Sequence, residues 1–199
     1  MTMALVASVH AQVDEGLCGS LENAYGPFDY RIATRDQIHM VEAFHFTPRV
    51  ESLQGGKTSS FIAVDLDYTL RVFPNHHRAL MTLARLAQRE KREVLQGAQY
   101  PTECYFERAI RFQPEDPMPQ MIFGLYLAHA KRESEARPYL ERAETLSTGD
   151  ANLHYNLGLA YLDLKDFDRA YINAKRAYDA GFPLPGLRER LKRAGVWKE

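Results

Sequence analysis

The sequence predicts an all-α fold built from repeated pairs of helices. Two stretches carry this prediction, MPQMIFGLYLAHAKRESEARPYLERAETL and NLHYNLGLAYLDLKDFDRAYINAKRAYDA. They align at a fixed offset that places Gly124 on Gly158 and Ala136 on Ala170. In the first half of each stretch, apolar residues recur at intervals of three and four, the period of a helix with one buried face. A constant period of this length indicates stacked helical units that share one core.

These stretches resemble the tetratricopeptide repeat, a helix–turn–helix unit of 34 residues with a glycine in its first helix and small alanines in its second. The resemblance implies a right-handed α-solenoid of about three units. We assign residues 75–114, 117–150 and 151–183 to these units and residues 184–199 to a C-terminal capping helix and tail. An internal glycine costs a helix about 1 kcal/mol relative to alanine. The presence of glycine at positions 124 and 158, despite this cost, is explained if a neighbouring helix approaches closely there.

The first unit departs from the pattern in two ways. Ala84 stands at the glycine position, and the turn KREVLQGAQYP is about six residues longer than is usual for a repeat of this kind. We expect its two helices at residues 77–89 and 102–112. Asn75 is predicted to cap the first of them, because asparagine is among the preferred N-cap residues.

Residues 61–74, FIAVDLDYTLRVFP, are predicted as a helix that leads into the repeats. The letters DLDYTL also resemble the opening motif of the haloacid dehalogenase phosphatases, in which Asp65 would be the nucleophile and Asp67 an acid or base. That family requires a parallel sheet and a later acidic site for Mg²⁺. The sequence provides neither, so the phosphatase is kept as a remote alternative.

Residues 12–60 are predicted as an N-terminal cap. Tyr25, Phe28 and Tyr30 lie close together among turn-forming residues, in a region similar to the N-terminal part of exported tetratricopeptide proteins of Gram-negative bacteria. They either bury their rings over the end of the helical stack or gate its groove. The stretch QGGKTSS is interpreted as a polar linker, because a phosphate-binding loop needs a glycine where Glu51 stands.

Residues 1–11 are predicted as the remnant of a signal peptide. The sequence is apolar up to Val9-His10-Ala11, where small residues two apart resemble a signal-peptidase site. Export would place the protein in the periplasm or outside the cell. The alternative is an apolar N-terminus of a cytoplasmic protein.

Two cysteines, Cys18 and Cys104, allow two interpretations. In a reducing cytosol they would be two separate thiols. In an oxidising compartment an even number of cysteines favours one disulfide.

Charge and motifs exclude several classes of function. The 25 basic and 26 acidic residues give a net charge of -1, which offers no bias towards nucleic acid or an anionic membrane. No apolar run reaches the roughly 20 residues that span a bilayer. We predict no cofactor, no metal site and no catalytic residue, and the oligomeric state stays open.

The resemblance implies a non-catalytic scaffold or adaptor that binds a protein or peptide through the groove lined by its first helices. The groove residues that it implies are Arg78, Met81, Arg85, Met121, Leu125, His129, Asn152, Tyr155, Asn156 and Leu159. Methionine and tyrosine are adaptable anchors for a partner, and arginine binds carboxylates in bidentate geometry. The alternative is a sensor for a peptide or small ligand, with the segment from Tyr25 to Tyr30 gating the groove.

Overall fold

The computed structural model describes residues 18–197, and these residues form helices and no strand. The all-α prediction is therefore confirmed. In chain order the helices are α1 (Arg35–Glu42), α2 (Pro48–Glu51), α3 (Ile62–Val72), α4 (His77–Glu90), α5 (Thr102–Phe112), α6 (Pro117–His129), α7 (Glu133–Leu146), α8 (Ala151–Asp163), α9 (Phe167–Asp179) and α10 (Gly186–Arg193). The predicted signal-peptide remnant, residues 1–11, lies outside the described residues.

The helices from α4 onward pack in two layers. Helices α4, α6, α8 and α10 contact one another in succession and form one layer. Helices α5, α7 and α9 form the other, and each packs against the two members of the first layer on either side of it. We call α4, α6 and α8 the first helices and α5, α7 and α9 the second helices. No helix within residues 18–197 is long and apolar enough to cross a membrane.

The two aligned glycines lie where neighbouring helices come closest. A Cβ added at Gly124 would lie 2.7 Å from the side chain of Leu140 in α7. A Cβ added at Gly158 would lie 2.5 Å from Leu187 in α10 and 3.3 Å from the carbonyl oxygen of Ala170 in α9. Interiors are packed too densely to accept an extra carbon at such distances without movement.

A lysine with left-handed backbone geometry closes the turn after each first helix. Lys91, Lys131 and Lys165 have φ angles of 53°, 64° and 57°. Their backbone N–H groups donate to the carbonyls of Ala87, Ala128 and Leu162, in the last turn of the preceding helix. The positive φ angle and the backbone hydrogen bond thus recur after each of the three first helices.

The N-terminal cap is attached to the stack by burial and by a disulfide. Helices α1 and α2 pack on α3, and α2 also packs on α4, with Val41, Phe46 and Val50 buried. Cys18 and Cys104 are joined by a disulfide that closes a separation of 86 residues. Phe46 and Val50 belong to the main core, whereas Val41 packs with Val72 and Phe73 in a second, smaller cluster.

The first helix of the first unit begins at His77 as predicted, but its capping residue is His76 and not Asn75. The ring of His76 accepts from the backbone N–H of Ala79. Asn75 is fully buried and its amide donates to Asp29 and Asp116 at 2.7 and 2.9 Å. Its side chain is occupied between two carboxylates, so it is not available to the helix end.

Candidate functional site

The predicted groove residues do not form one continuous surface. Met121 is fully buried and belongs to the core, so its assignment to the groove surface was wrong. Met81 is half-buried at the edge of the same core. The others lie on the exposed side of α4, α6 and α8, and the structure separates those on α4 from the rest.

The arginines of α4 already bind the chain's own N-terminal cap. Arg78 holds the carboxylate of Glu51 with two bonds of 2.8 and 2.5 Å. Arg85 donates to the backbone carbonyl of Glu51 at 2.9 Å, and Arg89 donates to that of Leu53 at 2.9 Å. The sequence predicted that Arg78 and Arg85 would be free to bind carboxylates of a partner. In the structure both are bonded to residues of the cap, because α2 packs on α4.

The electrostatics agree with this interpretation. The hydrogen bond from Arg78 lowers the pKa of Glu51, and the same bond raises the pKa of Arg78. Glu42 is a second carboxylate near this face, and a hydrogen bond from His76 lowers its pKa. These charges are therefore matched within the chain, and the side chain of Arg78 is engaged by Glu51 of the cap.

The faces of α6 and α8 are arranged differently. Leu125 and Leu159 are half-buried, so each presents part of an apolar side chain at the surface. Tyr155 is also half-buried, and one face of its ring stacks on Phe182 at 4.1 Å. The exposed amide of Asn152 stands beside Asn156, whose side chain donates to Asn152 Oδ1 at 3.0 Å. The helices that pack on α6 and α8 all belong to the two layers. We call the surface formed by Leu125, Asn152, Tyr155, Asn156 and Leu159 the α6–α8 face.

A polar row crosses the ends of the helices in this layer. Gln88 donates to His129 at 2.7 Å, and His129 lies 3.9 Å from the carboxylate of Asp163. Asp163 in turn pairs with Arg190 of α10. His129 is therefore part of a link between helices, and the row forms one border of the α6–α8 face.

The aromatic segment of the cap packs on the junction between α3 and α4. The backbone N–H of Phe28 donates to the carbonyl of Val72, and the rings of Phe28 and Phe73 lie 5.9 Å apart. The ring of Tyr30 stacks on His76 at 3.9 Å, while Tyr25 contacts Phe28. These contacts hold the segment against buried residues at the start of the stack.

Asp65 lies in a helix and is completely buried, so it has no access to a substrate. Its carboxylate accepts from the backbone N–H of Lys57 at 2.6 Å, from the Thr58 hydroxyl at 2.6 Å, and lies 3.3 Å from His45 Nδ1. The stretch QGGKTSS therefore has a structural role that its interpretation as a linker missed. A buried carboxylate needs such donors to be tolerated.

Asp67 is also occupied by the protein. It accepts from the hydroxyl of Tyr105 at 2.6 Å and from Arg71 Nε at 2.9 Å. Burial and the charge of Asp67 raise the pKa of Tyr105, so this phenol stays protonated and keeps donating. Among residues 18–197 no three His, Cys, Asp or Glu side chains are grouped as metal ligands.

Comparison with known proteins adds no assignment. No family model matches the chain, and no curated protein matches its sequence. The function is therefore inferred from the residues and their geometry.

Proposed function

We propose that this chain is a non-catalytic scaffold of the tetratricopeptide type, which binds a segment of a protein partner across the α6–α8 face. Three observations support the repeat assignment: the constant offset between the last two units, the close approaches at Gly124 and Gly158, and the two-layer packing from α4 to α10. They favour a solenoid in which first helices form a common surface.

The observation that carries the proposal is the contrast between α4 and the helices beside it. Arg78 and Arg85 on α4 are bonded to Glu51 of the cap, whereas the α6–α8 face combines half-buried Leu125 and Leu159 with the amide of Asn152. Apolar side chains supply the contact area that binding requires, and amides can bond the backbone of an extended segment. A partner thus finds its anchors on α6 and α8.

The test compares two variants that carry introduced glutamates, and measures how much partner protein each one captures from an envelope extract. Replacing Leu125 and Leu159 together by glutamate puts charges in the centre of the proposed contact, and we expect at least a tenfold loss of the bound partner. Ile172→Glu is the matched control, because Ile172 is 45 % exposed on second helix α9. Equal capture by both variants, with helicity unchanged, would contradict the assignment.

We further propose export to the periplasm or beyond. The disulfide between Cys18 and Cys104 supports this, since disulfides persist in oxidising compartments. Mass spectrometry of the mature chain tests the proposal, with Gln12 as the expected first residue. A chain that retains residues 1–11 in the cytosol would contradict it.

The two alternatives have less support. A sensor gated by the aromatic segment needs that segment over the groove, while Phe28 and Tyr30 are held on buried Phe73 and His76. A phosphatase needs an accessible aspartate, while Asp65 is fully buried and Asp67 is bonded to Tyr105 and Arg71. No observation therefore favours either of them over a scaffold.

A further inference from the structure

An open cleft of about 1180 Å³ lies at the edge of the molecule where the turns of the first and second units meet. Its walls come from the end of α4, the long turn after it, the start of α5, and the end of α6 with its own turn. The disulfide partners Cys18 and Cys104 also line it. The α6–α8 face is a different surface, although His129 borders both.

The unusual turn of the first unit and the disulfide build this cleft together. Leu95 in the turn is 1 % exposed and fixes the loop to the core, while Arg92 and Glu93 stay at the surface. On the opposite wall, buried Arg108 donates to the carbonyls of Cys18 and Ser20 at 2.8 and 2.7 Å. These bonds hold the chain around Cys18 in place.

The charged side chains of the cleft are only partly paired. Arg132 binds the carboxylates of Glu103 and Glu135. The side chains of Lys91, Arg92 and Lys131 form no hydrogen bond or ion pair with other residues in the described range 18–197. Within the described part of the chain, three cationic groups therefore line the cleft without a partner.

The apolar part of the lining is also defined. The half-buried ring of Tyr126 lines the cleft, as do Ala87, Ala130 and Pro101. Burial raises the pKa of Tyr126, so its hydroxyl remains a donor at neutral pH. Burial also raises the pKa of the carboxyl of Glu107.

We propose that the cleft binds a short peptide segment that carries one or two carboxylates. The carboxylates meet Lys91, Arg92 and Lys131, and an apolar side chain packs on Tyr126 beside the disulfide. The pair between Arg132 and Glu103 shows that this lining accepts a carboxylate. The volume exceeds that of a typical small-molecule pocket, roughly 300–1,000 Å³, and suits a few residues of peptide.

The charge balance selects this ligand over a polyanion. Four cationic residues, Lys91, Arg92, Lys131 and Arg132, face three acidic ones, Glu93, Glu103 and Glu107. A nucleic acid backbone would meet these glutamates at every position and be repelled, whereas one or two carboxylates can be placed on the unpaired cations. The binding proposed here does not depend on the scaffold function of the α6–α8 face.

The test is calorimetric titration of the full, oxidised chain with an N-acetylated tripeptide of alanine, phenylalanine and glutamate. Its matched probe has glutamine and a C-terminal amide, and therefore lacks both carboxylates. We expect the acidic peptide to bind at least about tenfold more tightly, and its affinity to fall as salt is raised. No binding, or equal affinity for the two peptides, would overturn the proposal.

Two lysine variants locate the site. Lys131→Glu places a negative charge in the cleft and should weaken binding of the acidic peptide about tenfold. Lys165→Glu changes the lysine at the same left-handed turn position of the third unit, outside the cleft lining, and should change affinity less than twofold. Both lysines are exposed, so both variants should fold. Equal weakening by both, or by neither, would refute a site in this cleft.

Discussion

Among the residues that the structure describes, residues 18–116 bury nine polar or charged side chains, whereas residues 117–197 bury three. The polar bonds of the first part reach far along the chain, from Arg108 to Cys18 across 90 residues and from Asn75 to Asp29 across 46. Those of the second part join nearby helices, such as His154 to Asn173. The second part is held mainly by repeated apolar packing. The first part adds to its apolar core individual polar bonds that connect the cap to the stack.

This difference determines how strongly substitutions in the two parts should lower the free energy of unfolding. Apolar packing weakens gradually when a side chain is shortened, whereas a buried polar group that loses its partner carries the full cost of its desolvation. Single substitutions of buried polar residues in the first part should therefore destabilise the protein by more than substitutions at the glycine approaches of the second part. On the surface of α4, the bonds from Arg78 and Arg85 to Glu51 likewise connect the cap to the stack.

The largest effect is expected from loss of the disulfide. It closes a separation of 86 residues, and the chain-entropy model gives about 4 kcal/mol for a loop of this length. Replacing Cys18 and Cys104 by serine should lower the free energy of unfolding in urea by about that amount. Adding reductant to the parent protein should reproduce the loss, and adding it to the variant should change nothing. Equal unfolding midpoints of the oxidised and reduced parent would contradict the prediction.

The second effect concerns the buried carboxylate of α3. Asp65→Ala should cost about 3 kcal/mol, because the N–H groups of Lys57 and Thr58 lose their acceptor. Asp168→Ala, on the exposed first turn of α9, is the matched control and should stay within about 0.5 kcal/mol of the parent. Chemical denaturation measures both values. A comparable loss in both variants would remove the distinction between cap and repeat.

The third effect depends on pH. A hydrogen bond from Arg31 lowers the pKa of Asp29 to about 2, from an ordinary value of 3.8. The depressed pKa stabilises the fold above the unfolded value, and this contribution is lost as the pH falls from about 4 to about 2. Asp29→Asn should destabilise by about 1–2 kcal/mol at pH 6, and the difference from the parent should shrink at pH 2.5. Asp36→Asn, at an exposed position of α1, is the control at pH 6 and should stay within about 0.5 kcal/mol of the parent.

The smallest effect tests the repeat packing. Alanine is favoured over glycine in a helix by about 1 kcal/mol, but a Cβ at Gly124 would meet Leu140 at 2.7 Å. We expect Gly124→Ala to destabilise by about 1 kcal/mol. In a Leu140→Ala background, where space is available, the same change should become stabilising. Stabilisation in the parent background would show that α6 and α7 do not approach as closely as described.

The sequence was sufficient for the features that repeat. The period identified the helices of the last two units, and the expected second helix of the first unit, 102–112, matches α5. Asp166 shows the same local logic, because aspartate is a preferred N-cap residue and its side chain accepts from Arg169 N–H at the start of α9. Local patterns of this kind are independent of the rest of the chain.

The sequence was not sufficient for the contacts that occur once. Nothing in a period indicates that Asn75 bridges Asp29 and Asp116, or that residues 57 and 58 bind Asp65. One usable signal was present, because Arg108 follows Cys104 by one helical turn on the buried side of α5. An arginine at such a position predicts a polar partner inside the protein. The cleft was missed because it forms between three segments distant in sequence.

Site-specific photo-crosslinking tests the central claim most directly. A photoreactive phenylalanine analogue placed at position 159, on the α6–α8 face, should form a covalent adduct with the partner in an envelope extract. The same analogue at position 172, on the exposed side of α9, should form none. An adduct at 172 in preference to 159 would contradict the account, because the partner would then contact the second helices rather than the face left open by the cap.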